Sequence, residues 1–101
     1  MAVSKLQLSQ LLGVYGGLLT DKQREAISMY CDCDCSLAEI ASEVGISRQG
    51  VRDAIVNGEK SLEKLEESLH LCSFMHDISV ALENDDKNRV FELVRAFVDK
   101  E

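Results

Sequence analysis

Two helix-start signals separated by a glycine turn constrain the fold of this chain more than any other feature. Ser36 begins the tetrapeptide SLAE, a capping box in which a serine and Glu39 bond each other's backbone at the start of a helix. Gly45 stands where a helix-ending residue with left-handed backbone is favoured. Ser47 is a further cap and opens a helix at Arg48. The spacing predicts two helices joined by a short turn, the helix-turn-helix arrangement.

The rest of the chain also has a helical pattern. It has 101 residues and no proline, and its apolar residues recur at intervals of three and four. An earlier capping box begins at Thr20, and Asn84-Asp85-Asp86 precedes a last apolar stripe. The prediction is an all-α fold with a helix-turn-helix head over residues 1–72, which includes a long helix. A C-terminal helical tail over residues 73–101 completes a single compact domain overall.

Three further expectations concern the predicted helices. The first helix should present an apolar face as far as Leu19, although glycines weaken its end. The helix that begins at Arg48 has no clear stop before Leu71, and its apolar residues alternate at spacings of four and three, as in a coiled-coil seam. We expect a homodimer formed through this seam, the tail helices, or both. The seam consists of Val51, Ile55, Gly58, Leu62, Leu65, Leu69 and Cys72.

The first turn of the second motif helix carries the candidate DNA-binding residues. In a helix-turn-helix protein this turn enters the major groove, and here it presents Ser47, Arg48, Gln49 and Arg52. Arginine pairs with guanine, glutamine with adenine, and serine or a helix N-terminus with phosphate. The alternative is that the two arginines form surface ion pairs. Their candidate partners are Glu39, Glu43 and Asp53.

The net charge of −7 weighs against general attraction to nucleic acid or anionic lipid. Residues 1–61 carry −2 (six Lys/Arg against eight Asp/Glu), and residues 62–101 carry −5 (five against ten). Duplex binding should therefore be weak and limited by salt, unless a dimer doubles the contacts. No apolar run approaches the ~20 residues of a membrane span, so no membrane partner is expected.

The cysteines Cys31, Cys33 and Cys35 raise the possibility of a metal or thiol site. Their spacing lacks the two-residue interval of a zinc knuckle, and further ligands (Cys72, His70 or His76) would have to come from a distant helix. We interpret the thiols as small apolar fillers, reduced in a cytoplasm, and predict no metal and no cofactor. No nucleophile–base motif or phosphate loop is evident, so no enzyme activity is predicted.

Three segments closely resemble one bacterial family. "LLTDKQREAISMY", "SLAEIASEVGISRQGVRDAI" and "EKSLEKLEESLHL", within about residues 11–72, are similar to the small YlxM-like helix-turn-helix proteins. That family is related to region 4 of sigma factors, and its genes lie beside those of signal recognition particle components. The resemblance implies a sigma-region-4-like head and a regulatory or accessory role in that pathway. Gly50 and Asn57 depart from it, because the family usually has alanine and a basic residue there.

Three hypotheses for function follow. The leading one is a cytoplasmic, dimeric regulator that binds duplex DNA through the four residues of the second motif helix. The second is an accessory module of the signal recognition particle machinery, in which the head or the acidic tail docks on a basic partner such as the particle protein, without binding DNA. The third is a thiol or metal sensor that uses Cys31, Cys33 and Cys35.

Overall fold

The structure, a computed structural model, describes residues 3–99. The outermost residues of the two predicted parts, 1–2 and 100–101, lie outside this range, and the division of the chain at residue 72 stays a prediction. Over the described range the chain is helical and has no strand, which confirms the all-α prediction. The helices are α1 (Lys5–Tyr15), α2 (Asp21–Cys31), α3 (Leu37–Val44), α4 (Arg48–Leu69), α5 (Leu71–Glu83) and α6 (Lys87–Val98).

The predicted caps begin their helices. At α2 the Gln23 N–H donates to Thr20 Oγ1, and the Thr20 N–H donates back to the Gln23 side chain, each over 3.2 Å. The Ser36 box at α3 closes in the same way, with distances of 3.1 and 3.0 Å. A further capping box, formed by Ser4 and Gln7, begins α1 and was not predicted. These bonds satisfy backbone donors that the first turn of a helix otherwise leaves open.

The head is built from α1 to α4 around one apolar core. Six large side chains in it are fully buried: Leu8, Ile27, Ile40, Val51, Ile55 and Leu62. Three of these lie on α4, which packs against α1, α2 and α3 of its own chain. Gly58 allows α2 to approach α4 closely, because a Cβ atom at that position would lie only 2.5 Å from Ile27 Cδ1.

This packing corrects the prediction of a dimer through the seam. The seam positions Val51, Ile55 and Leu62 have no exposed surface within a single chain, so they cannot form a coiled-coil seam with a second one. The apolar spacing correctly identified the buried side of α4, but that side packs against helices of the same molecule. The seam also ends earlier than predicted, since α4 stops at Leu69 and Cys72 belongs to the next helix.

The first helix is also shorter than its apolar pattern predicted. It ends at Tyr15, and a 3₁₀ turn over Gly16–Leu18 leads to the cap of α2. Leu18 points outward with 68% of its surface exposed, whereas Leu19 is buried against the core. The chain must reverse direction before α2, and the tighter turn places only one of the two leucines inside.

The tail is a helical hairpin attached to the head by a single residue. His70 has φ 54°, in the left-handed region, and separates α4 from α5. The α5 and α6 helices pack side by side, and the rings of Phe74 and Phe97 stack with centroids 4.2 Å apart. The described residues span 50 × 28 × 21 Å. None of their helices is long and apolar enough to cross a membrane.

Candidate nucleic-acid interface

The turn between α3 and α4 has the geometry that the glycine predicted. Gly45 has φ 79°, a left-handed conformation that a residue with a Cβ atom adopts only with strain. The N–H groups of Gly45 and Ile46 both donate to the Ala41 carbonyl, over 2.9 and 3.2 Å. Ile46 packs against the core and anchors the turn. The start of α4 is therefore fixed relative to α3.

All four candidate DNA-binding residues lie together on the surface at this start. Ser47, Arg48, Gln49 and Arg52 are exposed within the first turns of α4. The Ser47 hydroxyl accepts the Gly50 N–H over 2.9 Å and so acts as the helix cap. Its remaining hydrogen-bonding capacity and the positive end of the helix dipole face solvent, an arrangement suited to a phosphate.

The two arginines are not engaged in the ion pairs that the alternative interpretation required. Within residues 3–99, no carboxylate lies within ion-pair distance of Arg48 or Arg52. Four residues apart, they project from the same side of the helix, one turn from each other. Both guanidinium groups are therefore available to a ligand.

Gln49 has a hydrogen-bond partner that we did not predict from the sequence. Its Nε2 donates to Asp53 Oδ1 over 2.9 Å, across one turn of α4. The bond orients the amide and leaves its carbonyl oxygen as an acceptor. The Asp53 carboxylate adds a negative charge to this surface, which opposes the approach of a phosphate. A Gln–Asp pair at this spacing is common on helices, and the sequence contained that signal.

Glu39 of α3 is bonded within its own capping box and not to either arginine. Glu39 belongs to the capping box, and its bonds to the Ser36 backbone and side chain hold the pKa of its carboxyl below the ordinary value. This carboxylate is thus charged and already bonded at the opposite end of the motif. Its position explains why the alternative pairing of Glu39 with an arginine does not occur.

The three clustered cysteines differ in burial, and the pKa of two of their thiols is raised. In the part of the chain that the structure describes, no three His, Cys, Asp or Glu side chains are grouped to hold a metal ion. Burial, followed by the adjacent Asp32 carboxylate, raises the pKa of the Cys31 thiol to about 11. A raised pKa disfavours the thiolate that metal binding and redox chemistry need. Cys31 and Cys35 pack against the core as expected of fillers, whereas Cys33 is exposed.

The fold and this surface together define a small all-α protein of the helix-turn-helix class. A family model described as "Putative helix-turn-helix protein, YlxM / p13 like" matches residues 2–92, and the chain belongs to this family. The match confirms the family that the sequence resembled. It also extends beyond residues 11–72, into the tail.

Several curated relatives are named UPF0122 proteins. A protein of Lactococcus lactis subsp. cremoris is 52% identical over 67 residues, which are 66% of this chain and 60% of the relative. A protein of Mycoplasma capricolum is 48% identical over 66 residues, 65% of this chain and 58% of the relative. The match to a Thermoanaerobacter protein is longer, with 43% identity over 90 residues, 89% of this chain and 75% of the relative. The chain thus matches less than two thirds of the length of the first two relatives.

Proposed function

We propose that this protein is a cytoplasmic, non-catalytic regulator that binds duplex DNA through the start of α4. Arg48 and Gln49 contact base edges in the major groove, Arg52 contacts a base or a phosphate, and Ser47 with the helix N-terminus holds a phosphate. Two copies act together, because the contacts of one head are few and the chain as a whole is acidic.

One observation carries this proposal. Arg48 and Arg52 stand exposed and free of ion pairs, within residues 3–99, on the helix that the Gly45 turn positions. Lys5, Arg24 and Arg89 are each paired with a carboxylate within the described residues, whereas Arg48 and Arg52 are not. Two unneutralised guanidinium groups on one helix face form a local positive surface despite the net charge of the molecule.

The test compares two double variants with the same loss of charge. Arg48→Ala/Arg52→Ala should lower affinity for duplex DNA at low salt by at least about tenfold, and should reduce the salt slope by roughly two per head. Lys60→Ala/Lys64→Ala is the matched control, because these residues are also exposed, four apart and on α4, but lie further along the helix. Equal binding by wild type and the arginine variant, measured by fluorescence anisotropy, would refute the proposal.

A second variant tests the role of the carboxylate in the interface. Asp53→Asn keeps an acceptor for the Gln49 amide but removes a negative charge from this surface. If phosphates approach this face, the substitution should increase affinity several-fold at low salt, and the gain should shrink as salt is added. Unchanged affinity would place the DNA backbone elsewhere.

A second candidate function is supported by the charge of the tail. Residues 73–101 carry −3, with four Lys/Arg against seven Asp/Glu. Under this candidate the tail docks on a basic surface of a signal recognition particle component, as the family resemblance suggests. A chain truncated after residue 72 should then lose co-purification with the particle protein after nuclease treatment. Retention of the partner by the truncated chain would exclude the tail as the docking element.

A further inference from the structure

The tail carries an apolar surface that the described part of the chain leaves open. No residue of α6 is buried. Large apolar side chains of both tail helices are exposed, with exposed fractions from 42% at Val80 to 72% at Val98. We call five of them the tail apolar face: Met75, Leu82, Phe91, Val94 and Val98.

These side chains lie on one side of the hairpin. The stacked rings of Phe74 and Phe97 mark the line along which α5 and α6 touch. Met75 directly follows Phe74 and Val98 directly follows Phe97, so each is rotated by about 100° from that line in the same sense. In an antiparallel pair of helices, equal rotation in one sense leads to the same side. Leu82 lies two turns after Met75 on α5, and Phe91 lies two turns before Val98 on α6. Residues seven apart lie on nearly the same side of a helix, so all four side chains lie on this side of the hairpin.

We propose that the tail apolar face binds the same face of a second copy, so that two hairpins form a four-helix bundle. Such bundles join short antiparallel helices through apolar stripes of this spacing. The inference specifies the dimer of the proposed function but uses none of its DNA contacts.

The size of the face fits a dimer interface. Its five side chains are 43–72% exposed and together form an apolar patch of the kind that commonly marks a binding surface. A stable interface buries about 800 Å² on each partner, with an apolar centre and a polar rim. Met75 also lines an open groove of about 650 Å³ between α1 and α5. The apolar surface therefore extends toward the head and supplies further area.

The charges of α6 favour a second copy over an unrelated partner. Lys87 stands exposed at the start of the helix and Asp99 stands exposed at its end, with the apolar stripe between them. A two-fold axis near Val94 makes α6 antiparallel to its copy, which brings Lys87 of each chain beside Asp99 of the other. Each copy thus offers the charges that complement its own face, as an isologous interface requires.

The first experiment measures the mass of the full chain by sedimentation equilibrium at micromolar concentration. Wild type should be a dimer. Phe91→Glu/Val98→Glu should dissociate at least about tenfold more readily, because four carboxylates would enter an apolar interface. Val80→Glu is the control: Val80 is 42% exposed but directly precedes the buried Ala81, which places it on the opposite side of the hairpin. Circular dichroism verifies that each variant keeps its helix content.

A charge exchange tests the two-fold arrangement without disturbing the apolar residues. Lys87→Glu alone and Asp99→Lys alone should each weaken the dimer several-fold, because each creates two like-charge pairs at low salt. The combined Lys87→Glu/Asp99→Lys chain should recover the wild-type dissociation constant. If both single variants weaken the dimer and the combination does not restore it, the antiparallel pairing of α6 is wrong.

The outcomes separate this inference from the proposed DNA binding. A monomeric wild type, or a dimer that survives Phe91→Glu/Val98→Glu, overturns the tail interface whatever the chain does with DNA. Conversely, a dimer that is lost in this variant and kept in Arg48→Ala/Arg52→Ala supports the interface even if neither chain binds a duplex. A monomer whose tail is covered only by another protein would also overturn it.

Discussion

The Tyr15 hydroxyl donates a 2.6 Å hydrogen bond to the Glu66 carboxylate and thereby ties α1 to the end of α4. The same hydroxyl accepts the Leu71 N–H over 3.1 Å. Glu66 in turn accepts the N–H groups of Cys72 and Ser73, over 2.9 and 3.1 Å. The side chain of His70, which precedes α5, does not cap the first turn of this helix. Residues of two other helices cap it instead, and this network fixes the tail on the head.

Removal of the Tyr15 hydroxyl should destabilise the protein. In Tyr15→Phe the Leu71 N–H loses its acceptor and Glu66 loses a donor, at a site where the tyrosine is 2% exposed. Bonds to a charged group contribute about 1.5–3 kcal/mol, so we expect thermal unfolding at least about 5 °C lower. Tyr30→Phe is the control, because the contact of Tyr30 with the Lys5 ammonium uses its ring and not its hydroxyl. Equal melting temperatures for both variants would contradict this role of the network.

The network should also make stability depend on pH in the acid range. Burial alone would raise the pKa of Glu66, but the hydrogen bonds from Tyr15, Cys72 and Ser73 outweigh it and hold the pKa below the ordinary 4.5. A carboxyl whose pKa is lowered on folding stabilises the folded state fully at any pH above its pKa in the unfolded chain. This stabilisation disappears as the pH falls through its pKa in the folded state.

Urea unfolding of wild type and Glu66→Gln checks this dependence. Wild type should be the more stable at pH 7, and the difference between the two should shrink as the pH falls below about 4.5. The reason is that a protonated carboxyl resembles the neutral amide. Glu67→Gln, an exposed neighbour on α4, should show no such convergence. A difference for Glu66→Gln that is the same at pH 7 and pH 3.5 would show that the carboxylate charge is irrelevant.

The parts of this fold that sequence predicts are those determined by near neighbours. The caps at Thr20, Ser36 and Ser47 and the turn at Gly45 depend on bonds between residues three or four apart. The exposed position of Arg48 follows from the same local signals. By contrast, Tyr15 and Glu66 are 51 positions apart, and only the packed helices bring them together.

The seam on α4 illustrates the limit of pattern in the other direction. Apolar spacing identifies which side of a helix is buried, but not which surface covers it. The pattern of Val51, Ile55 and Leu62 is the same whether the cover is a second chain or the chain's own α1–α3. The tertiary arrangement shows that the cover is the chain's own α1–α3.

A methyl group at Gly58 should destabilise the packing of α2 on α4. In Gly58→Ala the new Cβ would lie 2.5 Å from Ile27 Cδ1, and Ile27 is fully buried, so the core must shift. Such overpacking costs about 1–3 kcal/mol, against a gain in helix propensity of about 1 kcal/mol. We expect a net loss on the order of 1 kcal/mol in urea unfolding.

The matched control for this substitution is another helical glycine. Gly13 lies within α1 and is exposed, and no neighbouring side chain lies within 4 Å of the place that an added Cβ atom would occupy. Gly13→Ala should therefore stabilise the chain by up to about 1 kcal/mol through helix propensity alone. The two substitutions should shift stability in opposite directions. Stabilisation by Gly58→Ala would mean that α2 and α4 are less tightly packed than the 2.5 Å distance to Ile27 Cδ1 indicates.

The cysteines should differ in reactivity according to their surroundings. Because the pKa of Cys31 is about 11, only about 0.1% of it is thiolate at pH 8, against roughly a quarter for an ordinary thiol of pKa 8.5. Burial also raises the pKa of Cys35 and Cys72. In brief exposure to iodoacetamide, followed by peptide sequencing in the mass spectrometer, the exposed Cys33 should be labelled first and Cys31 last.

Two further samples establish the cause of this order. In urea all four thiols should react at similar rates, because the fold no longer buries them. Asp32→Asn removes the carboxylate that, after burial, contributes most to the raised pKa of Cys31, so this variant should label Cys31 faster in the folded state. Labelling of Cys31 as rapidly as Cys33 in the folded wild type would contradict the assignment of Cys31 as an inert packing residue and would favour a thiol sensor.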